Sequence, residues 1–293
     1  MKHDVQTFES LRSQLLALAY RMLADVGRAE DVVQEAWLRW GEGDEEVEAP
    51  RAYLATIVTR LCLNELQSAR ARREESRGDR LPEPIHLDQA GMGRVEALDQ
   101  VSMAFLVLLQ ELNPAERAVL LLHDVFDFRH GDIARLLRRT EAACRQLLRR
   151  AHSRIARERK LPAAPRDEHL RLLQAFLKAI SEGNVGELLD LLAGDAVLVV
   201  DAGPAGARYG RVRNLPRPLL GPVKIAAFLA AVGRQEPADV RHRQCELNGQ
   251  PAIVTLRQGR VIAAVLLSVS GGRIRRIFVH ADPSRLRHVC GLS

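Results

Sequence analysis

The most evident chemistry lies in the stretch "RRTEAACRQLLRRAHSRIARERK", residues 138–160, which holds nine Arg or Lys among its twenty-three residues. Guanidinium and ammonium groups neutralise phosphates, and the Arg fork also fits the acceptor edge of guanine, so this is chemistry of polyanion binding rather than of bond making. An apolar stripe runs through the same stretch: Cys144, Leu147, Leu148, Ala151 and Ile155. Ile133, Ala134 and Leu137 in the preceding "HGDIARLL" face it, and the pair reads as a helix-turn-helix with Thr140 placed to cap the second helix. Arg145, Arg149 and His152 then fall on one outward flank and Gln146, Arg150 and Ser153 on the other, with Glu141 and Ala142 at the N-terminal end. A recognition helix reads bases with its first residues and grips phosphates with the rest, so the distribution suits a major groove. The competing reading is a solvated basic helix of an RNA-associated protein.

Other reactive residue types give less. Cys62, Cys144, Cys245 and Cys290 are scattered with no C-x-x-C spacing, which argues against a zinc knuckle or redox pair and for small apolar fillers. Neither metal nor cofactor is expected. Charge is segregated: residues 1–59 carry six Lys/Arg against eleven Asp/Glu, and residues 129–160 carry eleven against three. A basic segment is the footprint of a nucleic-acid partner, whereas an acidic one is repelled by DNA and suits a protein partner.

The elements that must carry these residues follow from periodicity. Helical spacing runs from Phe8 to Trp40, broken at "ADVGRAED" into two helices, and Pro50 opens a third over 51–73 with the stripe Tyr53, Leu54, Ile57, Leu61, Leu63 and Leu66. Residues 75–93 hold two prolines and three glycines and read as a linker. Spacing resumes from Val95 to Leu112; Asn113, Pro114 and Glu116 then start another helix. "LPAAPRDE" separates this helical part from an α+β part, which opens with the stretch Leu170, Leu173, Phe176, Leu177 and Ile180 and a short helix running into a strand. Strand-like runs follow at 251–257, 260–269 and 272–280, bounded by turns such as "RQGR" and "SGGR". At 293 residues the chain suits two or three domains. The divisions expected are 1–75, a linker 76–94, 95–160, a linker 161–168, and 169–293. No apolar run reaches membrane-spanning length, and "MKHDVQTFES" lacks the apolar core of a signal peptide, so no membrane and a cytoplasmic location are expected.

Three stretches, "AYRMLADVGRAEDVVQEAWLRW" (19–40), "PRAYLATIVTRLCLNELQSARARREE" (50–75) and residues 112–155, resemble in order and spacing regions two and four of the extracytoplasmic-function (ECF) sigma factors of bacterial RNA polymerase. The resemblance implies a transcription initiation factor, not an enzyme, with core RNA polymerase and promoter DNA as partners. It implies two all-α domains, a region-two bundle and a region-four helix-turn-helix. Glu30, Asp31, Gln34, Glu35, Trp37 and Leu38 would then bind the coiled coil of the polymerase largest subunit. Arg60, Asn64, Gln67, Arg70, Arg72 and Arg73 would hold the non-template strand of the minus-ten element. Thr140, Glu141, Arg145, Gln146, Arg149, Arg150 and His152 would lie in the major groove of the minus-thirty-five element. Two departures stand out. Arg138 occupies the turn where relatives usually have glycine, and a non-glycine in a left-handed turn costs about 1 kcal/mol. Asn64 and Gln67 stand where relatives often show Asp and Arg.

Residues 166–293 resemble the SnoaL-like (NTF2-like) α+β cone appended to one ECF subgroup, the SigJ-type factors. There the linker carries "WLPEP", here "RLPEP" (80–84) with Arg80 in place of tryptophan; "DAGP" (201–204) stands for "DGGG" and "ADPSRL" (281–286) for "NPDKL". The resemblance implies that this domain modulates the factor in cis through contacts with the linker or the sigma domains, made by Leu81, Pro82, Glu83, Asp201, Asp282, Pro283 and Leu286. With eighteen Lys/Arg against eleven Asp/Glu, residues 166–293 could equally dock on the acidic N-terminal part or add DNA affinity. The cone encloses a pocket, a possible small-molecule site, for which Asp201, Tyr209, His242 and His280 are candidates by residue type. The rival function is a DNA-binding module fused to a cyclase- or isomerase-type enzyme or a ligand sensor.

Overall fold

A computed structural model of the chain describes residues 5–42, 47–71, 80–86, 102–158, 164–203, 208–209, 212–213, 215 and 217–289. They belong to two compact units, one of residues 1–75, 87–101 and 105–160, the other of residues 76–86, 102–104 and 161–293.

The first unit begins with α1 (Val5–Leu23), α2 (Val26–Glu42) and α3 (Pro50–Ala71). The break between α1 and α2 has a defined geometry: Ala24 turns left-handed at φ 59° with its N–H on the Tyr20 carbonyl, and Asp25 Oδ1 accepts the Arg28 N–H to cap α2. Helix α3 buries Leu54, Ala55, Val58 and Cys62, and Tyr53 is exposed. This corrects the expected stripe. Apolar residues surround α3, and the buried set includes the small Ala55 and Cys62.

Next come α4 (Met103–Glu111), α5 (Pro114–Asp124), α6 (His130–Leu137) and α7 (Glu141–Glu158). Helix α5 starts in a capping box: Glu116 N–H donates to Asn113 Oδ1 at 2.9 Å, and Asn113 N–H donates to Glu116 Oε2 at 3.2 Å. From α5 the buried Arg117 donates to the carbonyls of Met22 and Leu112, tying α5 to the end of α1. Between α6 and α7, Arg138 adopts φ 52°, ψ 51° and returns its N–H to α6, so the glycine-like turn forms with arginine in it. On α6 it is Leu136 that is buried with Ile133 and Ala134, while Leu137 is half-buried.

The second unit follows the order α8 (Arg166–Ser181), α9 (Val185–Leu191), β1 (Leu192–Asp201), β2 (Arg208–Tyr209), β3 (Val212–Arg213), β4 (Leu219–Leu220), α10 (Pro222–Arg234), β5 (Val240–Leu247), β6 (Gln250–Arg257), β7 (Arg260–Ser270) and β8 (Arg273–His280). The main sheet has the order β4-β1-β8-β7-β6-β5; β1 and β8 run parallel, with Val200 opposite Val279, and the other pairs are antiparallel. Two-residue turns at 248–249, 258–259 and 271–272 have positive φ at both positions, the hand that matches sheet twist. Phe176 of α8, Leu188 of α9 and Ile225 and Leu229 of α10 bury against Leu198, Ile253, Leu267 and Ile277 of the sheet. Helix α10 lies so close to α8 that a Cβ on Gly233 would sit 1.9 Å from the Ile180 carbonyl oxygen. Among the described residues no helix is long and apolar enough to cross a membrane. Cys62 and Cys144 are buried, and burial raises both thiol pKa values above the ordinary thiol range.

Candidate functional sites

Helix α7 owes its start to Thr140, whose Oγ1 accepts the Ala143 N–H at 3.2 Å and whose carbonyl accepts the Cys144 N–H. With Cys144, Leu147, Leu148 and Ala151 buried, the 3.6-residue period leaves Glu141, Arg145, Gln146, Arg149, Arg150 and His152 exposed. Glu141 pairs with Arg145 at 3.2 Å one turn on, an exposed pair that contributes at most a few tenths of a kcal/mol and yields readily to a phosphate. His152 Nε2 lies 2.6 Å from Asp124 Oδ2, and Asp124 also holds His123 Nδ1 at 2.8 Å. His130 stacks on His123 with centroids 4.7 Å apart; burial first, then His123, lowers the His130 pKa. Arg154 donates to the Glu111 carbonyl at 3.0 Å and lies 3.3 Å from the buried Glu116, fixing the far end of α7.

On α2 the residues Glu30, Asp31 and Gln34 are exposed and Glu35, half-buried, holds Arg39 at 2.9 Å. Leu38 is 53% exposed, which removes it from the core. Trp37 is half-buried, its ring edge-on to Phe8 at 4.8 Å, so it braces α1 while keeping one edge at the surface. A groove between α2 and α3 is lined by Asp31, Glu35, Asn64 and Glu65. Asn64 and Gln67 are exposed on α3, whereas the Arg60 Nε–H donates to the Leu136 carbonyl at 3.2 Å, inside the same unit. The Arg70 side chain and all of Arg72 and Arg73 lie outside the described residues.

In the linker segment 80–86, which forms neither helix nor strand, residues 81–85 are buried against the α+β body of their own unit. Each end is gripped. Leu81 N–H donates to Asp201 Oδ2 at 3.2 Å, and the Leu81 carbonyl accepts from the Arg285 guanidinium at 2.9 Å. Arg285 also lies 3.8 Å from the buried Glu83 carboxylate. Ile85 N–H donates to the side-chain Oδ1 of Asn248 at 3.1 Å, and the Ile85 carbonyl accepts the Asn248 N–H at 2.8 Å. Arg80 donates to Asp282 Oδ2 at 2.7 Å; Asp282 Oδ1 accepts from Ser284 N–H and Oγ–H. Gly203, at φ 67°, is pressed so close to Asp282 that a Cβ there would lie 2.4 Å from the carboxylate, so "DAGP" needs its glycine. Beyond the segment, Met103 N–H donates to Gln250 Oε1 at 3.1 Å.

Of the expected linker-contact residues, Leu81, Pro82, Glu83, Asp201, Asp282 and Leu286 are buried here, and Pro283 is exposed. Its part is local, opening the 3₁₀ turn that Asp282 caps; Arg285, one turn further, makes the contact instead. Arg80, Ile85, Asn248, Gln250 and Arg285 were missed as contact residues. Arg285 lies within "ADPSRL", but Asn248 reads from sequence only as a hairpin turn before Gly249.

Among the described pocket candidates, Asp201 and His280 stand opposite each other on β1 and β8, and His242 stands apart from them on β5. His242 lines a cavity in the body, while Asp201 is committed to Leu81 and Gly203. His280 is buried, and burial first, then the nearby Arg285 charge, pull its pKa down to about 3, so it is a neutral core group. The Tyr209 side chain lies outside the described ones.

Residues 7–72 match the family described as Sigma-70 region 2, and residues 102–155 match Sigma-70, region 4. Over 295 aligned residues the chain is 35% identical to the ECF RNA polymerase sigma factor SigJ of Mycobacterium tuberculosis, covering 99% of this chain and 90% of that one. It is 32% identical to the probable ECF RNA polymerase sigma factor SigI of the same species, covering 94% and 92%. The crystal structure of the M. tuberculosis SigJ protein superposes with a TM-score of 0.73 over 97% of this chain and 99% of that one, at 27% identity.

Proposed function

Because the chain belongs to the ECF RNA polymerase sigma factors, we propose that its described surfaces divide the work of promoter-directed initiation, and that the α+β body modulates that work in cis by holding the linker. The factor binds core RNA polymerase and directs it to promoters; it is not an enzyme. Its region-four helix α7 docks in the minus-thirty-five major groove, Thr140 and Glu141 at its entering end, Arg145, Gln146 and Arg149 toward base edges and phosphates, Arg150 and His152 on the flanks. The acidic face of α2, with Glu30, Asp31, Gln34, Glu35, Trp37 and Leu38, meets the polymerase. Asn64, Gln67 and Arg60 on α3, continued by Arg70, Arg72 and Arg73, take the minus-ten strand; Arg60 must first leave the Leu136 carbonyl.

The observation that carries the promoter reading is the α6–α7 pair, with its left-handed turn and an exposed Arg145, Gln146, Arg149 row opposite the buried Cys144, Leu147, Leu148 and Ala151. Support for the cis reading is the burial of residues 81–85, with Leu81 held by charge-assisted bonds to Asp201 and Arg285 and Ile85 held by Asn248. Reconstituted transcription tests both. The chain with core polymerase is expected to start transcripts from a genomic promoter library, and a chain lacking residues 281–293 to start a different amount without altered α7 affinity for DNA. No transcript from any promoter refutes the first reading, and unchanged output refutes the second.

A further inference from the structure

The α+β body contains an apolar cavity of about 120 Å³ that promoter recognition does not use. Phe176 and Ile180 of α8, Phe228 of α10, Ile253 of β6, Val265 of β7 and Val279 of β8 form its walls. At one side stands a short polar chain. His242 Nε2 lies 2.9 Å from Glu236 Oε2, and His242 Nδ1 lies 3.2 Å from Thr255 Oγ1; all three side chains line the cavity. Thr255 is buried, and Glu236 and His242 are each about one fifth exposed.

A dry apolar void of similar size accommodates one benzene-sized ring. Here the walls would do the same, but the polar side adds a demand. A carboxylate and a hydroxyl each keep lone pairs after making one bond, so Glu236 and Thr255 can accept a further hydrogen bond from a donor inside the void. An anion is disfavoured, since it would be stripped of water beside Glu236 and apolar walls.

The cavity also touches the linker clamp through the chain itself. Val200 and Ala281 line the cavity, and the residues that follow them, Asp201 and Asp282, hold Leu81 and Arg80. The Ala281 N–H donates to the Asp201 carbonyl at 2.7 Å, locking the two wall ends together. Anything that packs Val200 and Ala281 more firmly therefore steadies both clamp carboxylates.

We propose that this cavity binds an uncharged small molecule with a ring-sized apolar body and one hydroxyl that donates to the Glu236–His242–Thr255 set, and that its occupancy tightens the hold on residues 80–86. The regulatory meaning of the second half rests on the cis reading of the linker; the binding itself does not.

Three methylbenzenes that differ at the para position separate the terms: p-cresol, toluene and 4-methylbenzoate, titrated into the full chain by ligand-observed NMR and calorimetry. The expected result is saturable p-cresol binding at least fivefold tighter than toluene, with no saturable binding of 4-methylbenzoate. Glu236→Gln should weaken p-cresol at least threefold and leave toluene unchanged. Ala263→Leu, which fills the void, should abolish both, and E236Q keeps the test valid should A263L not fold. With p-cresol bound, hydrogen exchange of the Leu81 and Ile85 amides should slow at least threefold. Toluene binding as tightly as p-cresol, saturable 4-methylbenzoate binding, or no p-cresol saturation overturns the site. Binding with unchanged exchange overturns the coupling. Transcription without added probe reads the sigma function separately, so loss of that reading is not confused with loss of this one.

Discussion

Asp201→Ala isolates what the clamp contributes. The carboxylate accepts two N–H groups, from Leu81 at 3.2 Å and Gly203 at 3.2 Å, and Leu81 is only 2% exposed, so its N–H would lose its acceptor without gaining water. A hydrogen bond to a charged group contributes about 1.5–3 kcal/mol, and 3.2 Å is the long end of the range, which favours the lower figure for each. The Gly203 bond shapes the turn that meets Asp282, so part of its loss is added to the linker's. A combined weakening of about 2–3 kcal/mol corresponds to a roughly 30- to 150-fold larger open population of the segment. Hydrogen exchange of residues 80–86 in the full chain reads this directly, because local opening controls amide exchange there. Helix α5, capped by Asn113 and Glu116 in the other unit, is the internal control. The reasoning is refuted if exchange of 80–86 rises less than threefold, or if the rise is spread evenly over β6, β7 and β8.

Arg138→Gly should stabilise the first unit by about 1 kcal/mol, seen as a higher thermal midpoint, because Arg138 stands at φ 52° where only glycine is free of Cβ crowding. Arg149→Ala should weaken minus-thirty-five DNA binding and flatten the slope of log K against log salt by about 0.9, one phosphate contact's worth; an unchanged slope would remove Arg149 from the interface. His280 has a folded pKa of about 3 against 6.5 unfolded, so between these values the unfolded chain holds the extra proton. Stability of the second unit is therefore full above about pH 6.5 and falls as pH drops, by up to about 1.4 kcal/mol per pH unit. His280→Gln should flatten that dependence in denaturant titrations at pH 5 and 6.5; an equal slope in both proteins would contradict it.

The helical half was legible because its periods are long and its stops are chemical. Asn113, Pro114 and Glu116 announce α5, and of the α7 stripe Cys144, Leu147, Leu148 and Ala151 are buried and Ile155 half-buried. Helix α3 misled because apolar residues surround it, so periodicity alone could not say whether Leu61 or Cys62 faces inward. In the second half "RQGR" and "SGGR" marked turns correctly, but β5 and α10 escaped. Strand β5, "VRHRQCEL", is an edge strand buried only at its two ends and so lacks a sustained apolar alternation. Contacts between distant segments, such as Ile85 with Asn248, leave no local trace in either partner.

Arg80 illustrates how a motif can lose a residue and keep a contact. Where the SigJ-type linker motif has tryptophan, this chain places a guanidinium 2.7 Å from Asp282, a carboxylate that is itself 9% exposed and fixed by Ser284. Being more than a third exposed, the arginine contributes little net energy through the ion pair. The grip must then fall mainly on the buried bonds at Leu81 and Ile85. Their burial, not the charge at Arg80, sets how firmly the segment is held, and raising salt should loosen Arg80 without releasing residues 81–85.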